Sequence, residues 1–404
     1  MNSARRANLV MPSARTTPRW LIALVLFFSM AAAFLWLLPL TTSHPVLFPS
    51  GPAFEDIIVY KGRFALYHTA KFFTSRATSA FAYPPGAAPI YEAFYKTSDA
   101  TAAYLIFAAI TIFAALIAAF YFLRRRGAAK LFLPLLLFTF PLIFLIQRAN
   151  IEIVLWIIIV LGLLAYRRGL GIVAAILFGI AAAIKLYPIL LLGLFLKRKQ
   201  DLPAFLIGVT VSILAVAAAI AYAGPTYASA AHGFFTGVTR FQDHYVDTVS
   251  KVEVAFDHSF FSPLKYRAYS NHTSPAPWRL TYYLLAGTLA LLLFLRARTL
   301  PFLNRVVFLV TAMISLPPVS FTYTLVHLYL PLLLLLGALT TFRTRPPATA
   351  ILAVALLLFL LLPIMSLSVF QPLPTGPMQS CALLALLILC ALQSWPEASI
   401  VADA

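Results

Sequence analysis

Lys185 is the residue that most demands an explanation. It stands in Gly179-Ile-Ala-Ala-Ala-Ile-Lys185-Leu-Tyr-Pro188, between two apolar runs and with no acid adjacent in the chain. An ammonium in such a setting is costly to retain and points to function, here a ligand for phosphate. Snorkelling is the bland alternative, and short flanking helices limit it. A second candidate is Gln147-Arg-Ala-Asn150 followed by Glu152. There Arg148 and the amides, Asn150 included, can hold an anionic headgroup, or Arg148 and Glu152, four apart, can pair at a helix start. Glu55-Asp56 offers carboxylates whose partial desolvation would raise their basicity towards that of a general base. The alternative is an interfacial acid paired with Lys61 or Arg63. His327 follows Leu316-Pro-Pro-Val-Ser-Phe-Thr-Tyr323, where two prolines stop a helix and leave backbone groups to be satisfied. It can bond phosphate from inside a helix bundle or cap a neighbouring helix.

Other groupings are weaker. Asp243-His244, Asp247 and Asp257-His258 crowd one segment, but their spacing matches no recognised metal site, and a solvated or substrate-contacting loop is the better reading. Asn271-His-Thr273 fits a glycosylation sequon only formally. There is no Walker A loop, HExxH, paired CxxC, Rossmann glycine fingerprint or Asp-x-Asp.

The elements that position these residues must lie in a membrane. Of 404 residues, 62% are hydrophobic and 10% charged. A soluble domain has about 25% charged residues, and a disordered chain is far less apolar. Cys381 and Cys390 share one apolar run, which excludes a disulfide framework. A net charge of +18 is also a mark of nucleic-acid binders, but its placement argues against such a partner. The basic residues cluster between apolar runs: Arg5, Arg6, Arg15 and Arg19; Arg124, Arg125, Arg126 and Lys130; Arg167 and Arg168; Lys197, Arg198 and Lys199; Arg296, Arg298 and Arg305; Arg343 and Arg345. That is the pattern of cytoplasmic loops under the positive-inside rule.

The expected fold is therefore all-α, one integral membrane domain over 1–404 with about 12 transmembrane helices. The spans fall at 20–40, 100–123, 131–146, 151–166, 171–184, 186–196, 203–222, 276–295, 300–316, 323–340, 347–365 and 379–394. The first reads as a retained signal anchor, since no clear cleavage site follows it. A break at Pro188, with Lys185 near the outer face, keeps Arg167/Arg168 and Lys197–Lys199 both inside. Short, broken helices of this kind are tolerated where protein buries them or a cavity is lined. With the N-terminus inside, Glu55, Asp56, Glu92, Asp99, Glu152, Asp243, Asp247, Glu253, Asp257 and all seven histidines fall on the outer side. Two long outer segments, about 41–98 and 223–275, are rich enough in apolar and aromatic residues to form short interfacial helices.

Taken together, Asp56-Ile-Ile-Val-Tyr60, Tyr83-Pro-Pro85, Gln147-Arg-Ala-Asn150, the Lys185 element, His258-Ser259 and Pro317-Pro-Val-Ser320 through His327 resemble the GT-C superfamily of lipid-linked-sugar glycosyltransferases. The closest resemblance is to the bacterial α-mannosyltransferase-like family 87, over roughly residues 50–335. That family often has Gly-Gln-x-Asn where this chain has Gln147-Arg-Ala-Asn150, and an Asn-Gln-Ser-like element at Asp257-His-Ser259, differences that bear on substrate identity. The resemblance implies an enzyme of the bacterial inner membrane, working at the periplasmic face. It would move mannose from a polyprenyl-phosphate donor to a lipid or glycan acceptor, with inversion. It assigns the general base to Asp56, with Glu55 as second candidate. Substrate binding falls to Lys185, Arg148, Asn150, His327, Tyr83 and His258. The leaving phosphate is already an anion, so it needs positive charge and hydrogen bonds rather than a proton, and no metal or cofactor is implied. The rival is a polytopic transporter or lipid flippase, which predicts midplane charges and related half-sequences. A non-catalytic envelope scaffold would not need Asp56 to be ionisable.

Overall fold

A computed structural model describes residues 18–37, 54–69, 71–75, 81, 83–124, 139–339, 347–364, 374–393 and 395. Arg5, Arg6, Arg15, Arg125, Arg126, Lys130, Arg343 and Arg345 lie outside the described residues. So do 131–138 of the expected third span and 41–53 of the first long segment.

The helices run in the order α1 (Arg19–Leu37), α2 (Glu55–Phe64), α3 (Lys71–Thr74), α4 (Ala88–Tyr95), α5 (Ala100–Arg124), α6 (Phe140–Arg148), α7 (Glu152–Arg167), α8 (Gly171–Ile184), α9 (Leu202–Ala223), α10 (Tyr227–Phe241), α11 (Lys251–Phe256), α12 (Ser262–Ser270), α13 (Ala276–Ala297), α14 (Phe302–Ser315), α15 (Tyr329–Leu339), α16 (Ala348–Leu360) and α17 (Thr375–Leu392). Two longer 3-10 segments, Tyr187–Leu196 and Thr322–Leu328, carry the chain from α8 towards α9 and into α15. No strand occurs among the described residues, only an antiparallel bridge between Asp257 and Phe321.

The all-α, multi-pass membrane architecture follows from six helical stretches long and apolar enough to cross a bilayer: Arg19–Leu37, Ala100–Tyr121, Lys199–Ala223, Ala276–Ala297, Thr322–Leu339 and Thr375–Leu392. Gly171–Ile184, Tyr187–Leu196, Phe302–Ser315 and Ala348–Leu360 are apolar but shorter. Their distribution has a physical logic. α1, α5, α9 and α13 display large apolar side chains outward, such as Phe27, Met30, Phe113, Ile213 and Leu284. An apolar solvent suits that surface and water does not. The short α14, by contrast, is buried from Leu303 to its end at Ser315. It is the post against which the 3-10 segments, α13, α15 and α17 pack.

α8 packs against α9, and small residues let the two approach closely. A Cβ added at Gly179 would lie 2.5 Å from the Gly208 carbonyl oxygen. Close backbone approach between small residues is how helices associate where burial from water supplies no drive. The turn into α8 is closed by Gly169 at φ +77°, with Leu170 N–H bonded to the Ala165 carbonyl at 2.9 Å. At its other end α8 stops at Ile184, because Lys185 is extended (φ −142°, ψ 136°). The break thus falls before Pro188, which instead lies in the first turn of the 3-10 segment. Helices also occur in the two long segments: α2, α3 and α4 in the first, α10, α11 and α12 in the second.

Candidate active site

The site begins where α2 meets the end of α6. Phe54 precedes α2 with a left-handed backbone (φ 63°), and its N–H donates to the Gln147 carbonyl at 2.6 Å. Ala149 ends α6 in the same unusual region (φ 51°), with Asn150 N–H returning to the Leu145 carbonyl at 3.3 Å. Two non-glycine residues held at positive φ cost on the order of 1 kcal/mol or more each, and such strain gathers at functional sites. Here it sets Glu55 and Asp56, in the first turn of α2, against Arg148 and Asn150.

Arg148 forks across both acids. Its Nη1 pairs with Glu55, and its Nη2 lies 3.0 Å from Oδ1 of Asp56. Oδ2 of Asp56 accepts from Asn150 Nδ2 at 2.6 Å and from the Tyr83 hydroxyl at 3.0 Å. Asp56 is 8% exposed, while the Glu55 side chain is more open at 29%. Tyr83 sits against Tyr60, Phe81 and Tyr91. Desolvation there, and then the Asp56 charge, hold its phenol well above the ordinary tyrosine range, so it serves as a hydrogen-bond donor.

Asn150 joins this half of the site to a second. Its Oδ1 accepts from the Glu152 N–H at 3.0 Å, an Asx-type bond at the start of α7, and from Lys185 Nζ at 3.4 Å. Glu152 is fully buried. One of its oxygens pairs with Lys185; the other accepts from the Tyr187 hydroxyl and lies 2.6 Å from Nε2 of His327. Lys185 Nζ also stands 5.1 Å from the ring centroid of Tyr83 and 5.0 Å from that of Tyr323, cation–π contacts that help hold a desolvated ammonium.

Glu55, Asp56, Tyr83, Arg148, Asn150, Lys185 and His327 therefore occupy one continuous polar network. His258 does not join it. It is buried with Nε2 at 3.1 Å from both the Ser320 and Thr324 hydroxyls, and its own N–H donates to the Ser320 carbonyl at 2.8 Å. Beside it Asp257 pairs with Lys265 at 2.8 Å and accepts from the Ser259 and Ser320 N–H groups, both at 2.9 Å. This second cluster ties the α11–α12 turn to the strand-like segment that leads into His327.

Several pairings differ from the sequence expectation. Arg148 does not pair with Glu152, because Ala149 ends α6 and the four-apart helical geometry never forms. Arg63 turns away from Asp56 to donate to the Phe72 and Ser75 carbonyls at 2.6 and 2.8 Å. Lys185 has the acid that no neighbour in sequence supplies: it is Glu152, together with Tyr187 and Tyr323 a participant that sequence reasoning missed. The available signal was two opposite charges, each stranded in an apolar run. Of the residues raised for a metal, Asp247 pairs with Arg279 and Asp257 with Lys265, and no metal-ligating group of three or more forms among the described residues.

The site is thus a buried acid–amide–cation network inside a helical membrane protein. The model of glycosyltransferase family 87 matches residues 81–317, more than half of the chain, and the chain belongs to that family. It is a membrane glycosyltransferase. The match takes in Tyr83, Arg148, Asn150, Glu152 and Lys185, begins after Asp56 and ends before His327. No curated protein and no solved structure matches the chain.

Proposed function

We propose that this glycosyltransferase moves mannose from a polyprenyl-phosphate donor to a hydroxyl of a lipid or glycan acceptor, inverting the anomeric centre, at the outer face of a bacterial inner membrane. In this reading the chain is one integral membrane domain of about twelve spans, with α2 to α4 and α10 to α12 on the outer side.

The observation that carries the reading is the meeting of Asp56 with Arg148, Lys185 and His327 in one hydrogen-bonded network. An ionised carboxylate has about four lone-pair positions. Oδ2 of Asp56 has two donors and Oδ1 has one, so Oδ1 keeps a position for an acceptor hydroxyl. As that oxygen attacks the anomeric carbon its proton passes to Asp56, and the bond to the phosphate oxygen breaks on the opposite side. Glu55, more open and held by the other arm of Arg148, is the second candidate for the base. Charge accumulating on the departing phosphate is met by donors in a water-poor setting, where their effect is large. Lys185 has three N–H groups, with Glu152 and Asn150 taking two. His327 presents Nδ1, which is buried and has no hydrogen-bond partner among the described residues; in the doubly protonated ring, with Nε2–H on Glu152, Nδ1–H would donate to the phosphate.

The test is transfer from radiolabelled polyprenyl-phosphate-mannose to endogenous lipid acceptors in membranes, comparing wild type with Asp56→Asn. A fall of at least about a hundredfold is expected for loss of a general base. Equal transfer by the variant would move the base to Glu55. No transfer by wild type from a panel of polyprenyl-phosphate sugars, with intact donor and folded protein, would favour the transporter reading.

A further inference from the structure

Within the transfer network, the reading leaves one buried charge without a task. Glu152 is 0% exposed and does not line a surface from which it could meet substrate. Yet its two oxygens hold the side chains that reading assigns to the leaving phosphate, Lys185 on one and His327 on the other, with Tyr187 as a third donor. Those partners come from three separate places: the extended residue after α8, the Tyr187–Leu196 segment and the Thr322–Leu328 segment. Neither 3-10 segment has the regular α-helical ladder that would fix its side chains by local geometry alone. We propose that Glu152 is a positioning residue for the transfer reaction, holding Lys185 and His327 together as a preassembled clamp for the leaving phosphate without itself touching substrate.

The arrangement explains three details together. Nε2 of His327 donates to the carboxylate, and in the doubly protonated ring, paired with that buried negative charge, Nδ1–H is the donor open to a phosphate. Lys185 Nζ is steered between the Tyr83 and Tyr323 rings, towards the Asp56 half of the site. Glu152 is itself fixed through its N–H to Asn150, whose amide also holds Asp56. Base and clamp therefore share one framework, and a displacement of Glu152 would be felt at both. The charged and titratable groups facing the clamp are Glu152, Asp56, Tyr83, Tyr187 and Tyr323, with Arg148 and Glu55 one contact further out.

This proposal rests on the transfer reading, and the experiment separates the two. Full-length protein in lipid nanodiscs is assayed with polyprenyl-phosphate-mannose as Glu152→Gln, Glu152→Asp, Lys185→Met and the Glu152→Gln/Lys185→Met pair, with rates expressed per folded molecule. Glu152→Gln should lower kcat/KM for the donor by at least about thirtyfold, below the hundredfold or more typical of losing a direct transition-state donor. The KM for the acceptor should stay within about twofold, and Glu152→Asp should recover at least about fivefold of the loss. In the Lys185→Met background the same Glu152→Gln change should cost less than about fivefold, because residues that act through one another are not additive. The double variant also covers the case in which Glu152→Gln alone fails to fold, since an unpaired buried charge is the costly state. Should Glu152→Gln act equally with and without Lys185, or raise both KM values together, Glu152 is a structural residue and the proposal falls while the transfer reading stands. If wild type itself transfers nothing from such donors while folded, both fall.

Discussion

Oε1 of Glu152 lies 2.6 Å from Nε2 of His327, although 175 residues separate them in the chain. The same carboxylate reaches Lys185, so the acid at the first turn of α7 closes a triangle drawn from three elements. An acid at a helix N-terminus also complements the helix dipole. That geometry decides which consequences of substitution are expected to be local and which spread.

The two acids of α2 should separate sharply. Asp56 has three donors and little exposure, whereas Glu55 is held by Arg148 alone. Asp56→Asn should reduce transfer at saturating donor by at least about a hundredfold, and Glu55→Gln by less than about tenfold. Single-turnover rates with both variants check this, and the opposite order would exchange their roles.

Gly86 makes the close approach that brings Tyr83 to Asp56. A Cβ there would stand 2.4 Å from the Ala183 carbonyl oxygen, at the end of α8 and two residues before Lys185. Backbone on both sides leaves little to yield, so Gly86→Ala should push the first long segment off α8. A loss of transfer of about tenfold or more, with a normal elution volume in detergent, is the expected outcome. Unchanged transfer would show that Tyr83 need not be held so tightly.

Asp257 and Lys265 are both wholly buried and paired at 2.8 Å, away from the transfer network. Lys265→Met leaves the Asp257 charge uncompensated and should destabilise the protein by about 3–5 kcal/mol. Transfer per folded molecule should remain within about threefold of wild type. Thermal unfolding in detergent, alongside the assay, tests both halves of that expectation.

His258 should give the fold a response to acid. Burial pushes its imidazole down to about 4, with the Asp257 charge opposing the shift. In the unfolded chain a histidine titrates near ~6.5, so between that pH and about 4 the unfolded state binds the proton and the folded state does not. The stability from this residue is complete above the upper value and declines as pH falls through the window. His258→Gln should therefore show a flatter loss of unfolding temperature across it than wild type. Carboxylates common to both proteins cancel in the comparison, and parallel curves would remove His258 as the cause.

Much of this protein was legible in its residues taken in order. The apolar excess required a membrane fold. Helices lie within a few residues of most of the expected spans, 171–184 and 203–222 among them, although only six helical stretches among the described residues are long and apolar enough to cross a bilayer. These are local properties, because each backbone in lipid must satisfy its own hydrogen bonds and long apolar runs have few other ways to do so. The same reasoning marked Lys185, Arg148, Asp56 and His327, since a charge or an imidazole beside such a run is conspicuous wherever it points.

Partnership was not legible. Lys185 pairs with an acid 33 residues earlier, and Arg148 with acids more than ninety residues before it. The nearer pairings available by spacing, Arg148 with Glu152 and Asp56 with Lys61 or Arg63, do not occur. Two left-handed residues, Phe54 and Ala149, turn α2 and α6 so that other charges meet. The family resemblance marked both His258 and His327 for substrate binding, yet one locks a turn and the other enters the network. Apolar periodicity says that a segment is buried but not which segment it is buried against. That choice belongs to helix packing, to approaches such as Gly179 on Gly208, and to the breaks that let Lys185 leave its helix.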